Sequence, residues 1–137
     1  DFPPTQLWIE ITERCRDLPV SMIKKTVTAL REAGIHITMD DYGTGSSSSQ
    51  MILELPVEGI KIDMCFVSDI FEEKKKQALV IGMVNFAHAA DLRICIEGIE
   101  NSDLESYLRQ FDVTLFQGYH YSKPICQDEL MKLLIKP

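Results

Sequence analysis

Two adjacent carboxylates, Asp40 and Asp41, stand between an alternating segment and a loop rich in glycine and serine, residues 42–49. Like charges on neighbouring residues repel each other unless a cation or hydrogen-bond donors neutralise them, so the pair indicates half of a divalent-metal site. The competing interpretation is a solvated turn, because Asp and Gly are common turn residues. This segment alone favours neither interpretation.

Charged side chains that could take part in the same chemistry recur elsewhere, at Glu10, Lys61 and Glu97. Carboxylates are hard oxygen ligands, which suit Mg²⁺ or Mn²⁺ better than a soft metal. Enough carboxylates for two metals, with a lysine among them, fit hydrolysis of a phosphate ester, because the metals generate hydroxide while the lysine orients the water. A structural Ca²⁺ site would use the same acids, although it would not need Lys61.

These residues lie at the ends of predicted strands. Polar and apolar residues alternate with the period of a strand in five segments, and a helical pattern follows each of them. Five successive strand–helix units predict an α/β fold with parallel strands and right-handed crossovers. The carboxyl ends of parallel strands meet at one edge of the sheet, so the polar residues above should converge there with Gln117. The predicted strands are 7–12, 35–40, 59–63, 92–97 and 113–117, and the predicted helices cover about 23–30, 52–55, 72–87, 102–111 and 128–135.

Composition restricts the partners of the chain. Its 137 residues, 45% of them hydrophobic, are enough for one domain with a core. The net charge of −7 argues against binding of duplex nucleic acid, whereas a small anionic ligand remains possible with a local cation or metal. The cysteines and histidines are far apart, which predicts a reduced, cytoplasmic chain whose histidines are packed or at the surface. The longest mainly apolar run, 78–90, is too short and too polar to span a bilayer, so we expect no membrane contact from this segment, although other domains can anchor the parent protein.

A phosphoacceptor receiver domain is an alternative with similar features. It also has an acidic pair after a strand, a lysine on a later strand and five strand–helix units. It further needs a separate central aspartate at the end of a middle strand. Asp63 is the one candidate, and it lies only two residues after Lys61, so the lysine would have to come from elsewhere. We therefore disfavour this alternative.

Five short motifs follow one another along the chain: Glu10–Ile–Thr–Glu13, Asp40–Asp–Tyr–Gly–Thr–Gly45, Leu55–Pro56 with Lys61–Ile–Asp63, Glu97–Gly–Ile–Glu100, and Gln117–Gly–Tyr119 with Lys123–Pro124. In this order they resemble the motif series of the EAL domain, and the resemblance covers nearly the whole chain. That family comprises bacterial phosphodiesterases that hydrolyse cyclic di-GMP to linear pGpG on a modified TIM barrel. The resemblance implies a two-metal mechanism with Mg²⁺ or Mn²⁺ as cofactor and cyclic di-GMP as substrate.

The resemblance also implies a role for each matching residue. Glu10 and Asp40 resemble ligands of the first metal, and Asp40 bridges to a second metal that Asp41 completes. Lys61 and Glu97 match the residues that orient and deprotonate the attacking water. The remaining matches are Glu100 and Gln117 as further active-site residues, Glu13 as the anchor of the loop after Asp41, and Lys123 and Pro124 as substrate-binding residues.

The sequence also departs from the family pattern. Tyr42, Ser46 and Ser49 replace more apolar residues in the loop that couples metal binding to dimerisation in the family, and Met64 replaces an arginine. The Glu–Ala–Leu signature, a nearby substrate-gripping arginine and an asparagine ligand have no counterpart in residues 1–137.

These departures suggest that residues 1–137 are the carboxyl-terminal portion of a single EAL domain, an incomplete TIM-like barrel without its N-terminal strands. A TIM barrel needs about 250 residues. We therefore expect the isolated chain to be inactive and to self-associate, for example as a domain-swapped dimer. The alternative function is a non-catalytic module for cyclic di-GMP binding or dimerisation.

Overall fold

A computed structural model describes residues 3–12, 19–45 and 48–135 of the chain, apart from the side chains of residues 48, 49 and 134. Five strands alternate with five α-helices across these residues. No helix in the described ranges is both long and apolar enough to cross a membrane. The elements are β1 (Trp8–Thr12), α1 (Val20–Glu32), β2 (His36–Tyr42), α2 (Ser48–Glu54), β3 (Gly59–Ile62), α3 (Lys74–Ala89), β4 (Arg93–Ile96), α4 (Ser102–Arg109), β5 (Leu115–Phe116) and α5 (Gln127–Leu134).

The strands form one sheet in the order β1-β2-β3-β4-β5, and every neighbouring pair is parallel. Parallel strands need a crossover between them, and the intervening helices supply it. The arrangement confirms the predicted α/β fold. It also places the carboxyl ends of all five strands along the same edge of the sheet.

The two faces of the sheet differ in chemistry because successive strand residues point to opposite sides. One face packs against the helices, and its residues Ile37, Met39, Ile60 and Ile62 have no solvent exposure. The opposite face carries Lys61 and the other polar residues of the predicted site. The packed face continues into a core that includes Ile94 and Ile96 of β4 and Val80, Met83, Val84 and Ala87 of α3.

Every element differs from its predicted range at one end or both, by one to four residues, and three of these differences bear on the site or on the sheet. Strand β5 contains two residues rather than five, and just before it the backbone N–H of Ile94 donates to the hydroxyl of Thr114 at 3.3 Å. Helix α3 begins at Lys74, after Glu73 as N-cap, and not at residue 72. Strand β2 runs two residues further than predicted, to Tyr42, because a bulge lets it continue beside β3.

Candidate active site

The side chain of Lys61 is the centre of the site. Its Nζ lies 2.6 Å from Glu97 Oε1, 2.9 Å from Glu10 Oε2 and 3.0 Å from Asp40 Oδ1. Lys61 is only 5% exposed. Burial by itself would lower the pKa of Lys61, but the contacts with Glu10, Glu97 and Asp40 outweigh it and raise the pKa well above its ordinary value. Lys61 is therefore a buried, permanently charged ammonium group.

A bulge in β2 brings the two adjacent aspartates to the same site. Met39 pairs with Ile60 and Tyr42 with Ile62, so β2 has one residue more than β3 over this stretch. Asp41 absorbs the extra residue with a φ of 54°, in the left-handed region where Asp is tolerated better than most residues. In a regular strand, Asp40 and Asp41 would point to opposite faces, whereas a bulge re-aims a side chain.

The carboxylates of Asp40, Asp41 and Glu97 form a cluster suited to a metal ion. One oxygen from each lies within 4.8 Å of the others. Asp40 Oδ1 is buried and accepts no hydrogen bond from the described part of the chain, so its contact with Lys61 is an ion pair without hydrogen-bond alignment. A buried carboxylate oxygen without an aligned donor is costly, and Lys61 offsets only part of this cost because it also contacts Glu10 and Glu97. The cluster therefore fits Mg²⁺ or Mn²⁺, which prefer such ligands.

Glu10 approaches this cluster from the neighbouring strand β1. Glu10 pairs with Thr38 of β2, which lies two positions before Asp40. The side chains of Glu10 and Asp40 therefore lie on the same face of the sheet. The Glu10 side chain is 46% exposed, in contrast to the Lys61 side chain that it contacts. Glu10 thus forms the solvent-facing side of the site.

Two glycines shape the loops that follow β4 and β5. Gly98 adopts a φ of 73°, and a Cβ there would lie 2.4 Å from the Cβ of Met64. A Cβ on Gly118 would lie 2.1 Å from the carbonyl oxygen of Ile99. This close approach allows the Ile99 N–H to donate to the Gln117 carbonyl at 3.1 Å. A backbone hydrogen bond therefore connects the loop that follows Glu97 to the loop that follows Gln117.

Gln117 faces the same cavity as the charged centre. This cavity has a volume of about 180 Å³, and Glu10, Lys61 and Gln117 contribute to its lining. Thr38 and Cys95 also line it, although the sequence interpretation did not single them out. The period of two could have identified both, since they lie two residues before Asp40 and Glu97. Burial raises the pKa of the Cys95 thiol to about 11, so this side chain stays neutral beside Lys61.

The remaining predicted residues are not among those lining this cavity, or they lie outside the described ranges. Glu100 is exposed and lines a separate cavity of about 240 Å³ with Asp69 and Glu72. Lys123 places its Nζ 5.5 Å from the ring centre of Tyr119. Pro124 is exposed, and Glu13 lies outside the described residues, as do Cys15 and Ser46.

Asp63 and the histidines have structural partners. Asp63 caps the short helix after β3, accepting a hydrogen bond from Cys65 N at 2.7 Å. The histidines contact residues outside the carboxylate cluster: His36 contacts Glu58, His88 contacts the Asp112 carbonyl and His120 contacts Glu105.

Comparison with curated proteins identifies relatives across most of the chain. Signaling protein YkoW of Bacillus subtilis is 31% identical over 135 residues, which are 98% of this chain and 17% of YkoW. Cyclic di-GMP phosphodiesterase PdeR of Escherichia coli is 30% identical over 117 residues, which are 85% of this chain and 18% of PdeR. The chain thus spans less than a fifth of the length of either relative.

Solved structures show the same fold. The EAL domain of Mycobacterium smegmatis DcpA has a TM-score of 0.89 and 30% identity, covering 96% of this chain and 59% of that one. PaMucR phosphodiesterase in complex with c-di-GMP has a TM-score of 0.84 and 28% identity, covering 93% and 52%. Klebsiella pneumoniae BlrP1 in its manganese and cyclic di-GMP complex has a TM-score of 0.78 and 30% identity, covering 86% and 30%.

These structures confirm the predicted EAL-type, TIM-barrel-like fold class. The family model of the EAL domain matches residues 1–124, which is most of the chain. Sequence, fold and motif order agree, and the chain belongs to the EAL domain family.

Proposed function

We propose that this chain is part of a metal-dependent phosphodiesterase that hydrolyses cyclic di-GMP to linear pGpG. The observation that carries the proposal is the buried Lys61 ammonium between Glu10, Asp40 and Glu97, with Asp41 beside them. A site for binding alone would not need a buried cation among carboxylates. The name of the relative PdeR and the cyclic di-GMP complexes of PaMucR and BlrP1 support the choice of substrate.

The residues that would hold Mg²⁺ or Mn²⁺ are Glu10, Asp40 and Asp41. When bound, such metals lower the pKa of water and stabilise negative charge on phosphoryl oxygens. Two of these residues, Asp40 and Asp41, belong to the carboxylate cluster with Glu97, and Asp40 Oδ1 accepts no hydrogen bond from the described residues; both observations support the assignment.

Lys61 and Glu97 have complementary roles in the proposed reaction. The raised pKa of Lys61 keeps it protonated, so it donates hydrogen bonds and cannot act as a base. It can therefore orient the attacking water, and Glu97, 2.6 Å from Lys61, can accept the proton of that water. Gln117, which lines the same cavity, is a candidate donor to a phosphate oxygen, and Glu100 and Lys123 remain proposed contributors from the neighbouring loops.

We further propose that residues 1–137 form the carboxyl-terminal portion of one EAL domain and that the 137-residue polypeptide alone is inactive. The 59% of the DcpA EAL chain that it covers supports this assignment. Groups that stabilise a transition state each contribute about a hundredfold in rate, so a site without its signature glutamate and arginine would hydrolyse very little.

The test compares the chain alone with a chimera in which an N-terminal segment of the DcpA EAL domain precedes it. Both are incubated with Mn²⁺ and cyclic di-GMP, and pGpG is quantified by chromatography. We expect pGpG from the chimera only. The variant Glu97→Gln should abolish the product, whereas Glu32→Gln, an exposed control at the end of α1, should not change it.

Calcium in place of manganese separates binding from turnover. Cyclic di-GMP titrated into the chimera with Ca²⁺ should release heat with a micromolar midpoint. Binding in a chimera that forms no pGpG with Mn²⁺ would favour the alternative, a non-catalytic cyclic di-GMP-binding module. Absence of both binding and hydrolysis would overturn the proposal.

A further inference from the structure

Lys61 occupies the position of a counter-ion within a group of acidic side chains. Three carboxylate oxygens, from Glu10, Asp40 and Glu97, lie within 3.0 Å of its ammonium. Asp41 adds a fourth carboxylate next to two of them. Among the residues that the structure describes, this one ammonium is the cation that contacts three of the four groups, and a single positive charge cannot compensate four carboxylates. The metal-free site is therefore held together by Lys61.

A divalent cation would have to share these carboxylates with Lys61. Mg²⁺ binds carboxylate oxygens at about 2.1 Å. A cation on an oxygen that also contacts Lys61 would then lie within about 5 Å of Nζ, and charges of the same sign repel strongly at that separation in a partly buried site. Lys61 is 5% exposed, so solvent screens this repulsion poorly.

Asp40 is the carboxylate for which a metal ion would replace the contact with Lys61 most favourably. Its Oδ1 lies 3.0 Å from Lys61 Nζ but accepts no hydrogen bond from the residues that the structure describes. The ammonium thus offsets the charge of this oxygen but does not donate a well-aligned hydrogen bond to it. A metal ion, which needs no donor direction, would compensate Asp40 better than the lysine does.

We propose that Lys61 is a built-in competitor of the divalent cation: its ammonium fills the carboxylate cluster when metal is absent and thereby weakens metal binding. This inference rests on the proposed function for the existence of the metal site. It assigns Lys61 a role in metal affinity and in metal-free stability, besides its proposed orientation of water. Because the lysine stabilises the empty site, the chain can fold before it binds metal.

The test measures binding of Mn²⁺ alone, without nucleotide, to the metal-stripped chain by calorimetry. Lys61→Met removes the charge at similar length and should tighten Mn²⁺ binding by about tenfold or more, because the repulsion is removed. Lys75→Met changes net charge equally at an exposed position on α3 and should leave the dissociation constant within about twofold. Lys61→Gln should also tighten Mn²⁺ binding. Its amide can still donate to the carboxylates, so this variant provides the test if Lys61→Met does not fold.

Thermal unfolding gives a second, independent readout. Without divalent cations, Lys61→Met should unfold at a lower temperature than Lys75→Met, because its carboxylates lose their counter-ion. Added Mn²⁺ should then raise the unfolding temperature of Lys61→Met more than that of the parent chain, in line with its tighter binding.

The outcomes separate this inference from the proposed function. Equal or weaker Mn²⁺ binding by both Lys61 variants would overturn the inference and leave the metal site in place. No Mn²⁺ binding by any variant would overturn the inference and the metal assignment together. Tighter binding by the Lys61 variants alongside a DcpA chimera that forms no pGpG would support the inference and contradict the proposed hydrolysis.

Discussion

At the scale of single residues, the backbone of Asp41 is as important as its charge. Its φ of 54° lies in a region that Asn also adopts readily and Ala does not. We predict that Asp41→Asn lowers pGpG formation by the DcpA chimera about a hundredfold while leaving the free energy of unfolding unchanged or higher, because one like charge disappears. Asp41→Ala should lose the same activity and also cost about 1 kcal/mol of stability.

The control for this prediction is Asp91→Asn. Asp91 has a φ of 55° and is exposed in the turn before β4, at the opposite end of the strand from Glu97. Its substitution should change neither hydrolysis nor unfolding by urea. Activity retained in Asp41→Asn would remove Asp41 from the proposed metal ligands.

A second residue-scale prediction concerns the contact between the loop after β4 and the loop after β5, which meet at Ile99 and Gly118. In Gly118→Ala, the new Cβ would lie 2.1 Å from the Ile99 carbonyl oxygen, so the two loops would have to separate. We expect a loss of about 1–3 kcal/mol in the free energy of unfolding by urea, with weaker substrate binding. Gly82→Ala is the matched control, since its Cβ position in α3 has no described heavy atom within 4 Å beyond its chain neighbours and the adjacent helical backbone, and it should stabilise the chain by up to about 1 kcal/mol. Equal stability of the two variants would show that the loops can shift freely.

Part of the site was predictable at this scale and part was not. Glu10, Lys61 and Glu97 could be brought together from sequence, because alternation assigns a face and parallel strands assign an edge. The bulge at Asp41 could not, because a regular strand would separate two adjacent residues and nothing in the local sequence requires the extra residue. Glu100 lies beyond Gly98, whose positive φ turns the loop, so its position depends on contacts with residues distant in sequence.

At the scale of elements, Glu58 links three parts of the chain at the end of the sheet remote from the site. Its carboxylate pairs with Arg31 of α1 and with Nδ1 of His36 in β2 at 2.6 Å, and its own position immediately precedes β3. Nε2 of His36 in turn lies 3.1 Å from the Thr5 carbonyl. The network thus joins β2 and β3 to α1 and to the segment before β1.

This network predicts a dependence of stability on pH. Burial opposes ionisation of Glu58, but the hydrogen bonds and charges of His36 and Arg31 outweigh it and lower its pKa from 4.5. A lowered carboxyl pKa stabilises the fold above the unfolded-state value and loses this contribution as the pH falls through the folded-state value. Glu58→Gln should therefore be less stable than the parent by roughly 1 kcal/mol at neutral pH, and the difference should shrink below a pH of about 4.5.

Urea unfolding at several pH values measures this difference, with Glu32→Gln as the control on the same helix as Arg31. The control should follow the parent at every pH. A Glu58→Gln difference that stays constant from neutral to acidic pH would show that the ion pairs of Glu58 contribute nothing and that only its packing matters.

Element types could be predicted more reliably than element ends. Each of the five strands and five helices has the type that its periodicity predicts, because burial of one face imposes the pattern. At the start of β5, for example, the Thr114 side-chain hydroxyl accepts a hydrogen bond from the Ile94 N–H. A side-chain hydrogen bond of this kind does not alter the alternation of polar and apolar residues, so the sequence pattern does not predict it.

At the scale of the whole molecule, both edge strands of the sheet carry exposed apolar side chains. Trp8 and Ile9 of β1 are 39% and 36% exposed, and Leu115 of β5 is 54% exposed. Ile9 also lines an apolar groove of about 380 Å³ between β1 and α1, together with Met22 and Ile23. The five strands and their parallel direction were predicted from sequence, whereas these surfaces depend on which side chains the neighbouring elements leave uncovered.

The last prediction is that the 137-residue chain associates with itself through the edge at β1. Exposed edge strands pair readily with other chains, and a charge on such an edge prevents pairing. Ile9→Lys should therefore convert the chain from a dimer or larger assembly to a monomer, measured by light scattering over a range of protein concentrations. Leu53→Lys introduces the same charge at an 83% exposed position on α2, away from both edge strands, and should leave the assembly unchanged. A parent chain that stays monomeric at high concentration would contradict the prediction, and dissociation by both variants would show that net charge and not the β1 edge controls association.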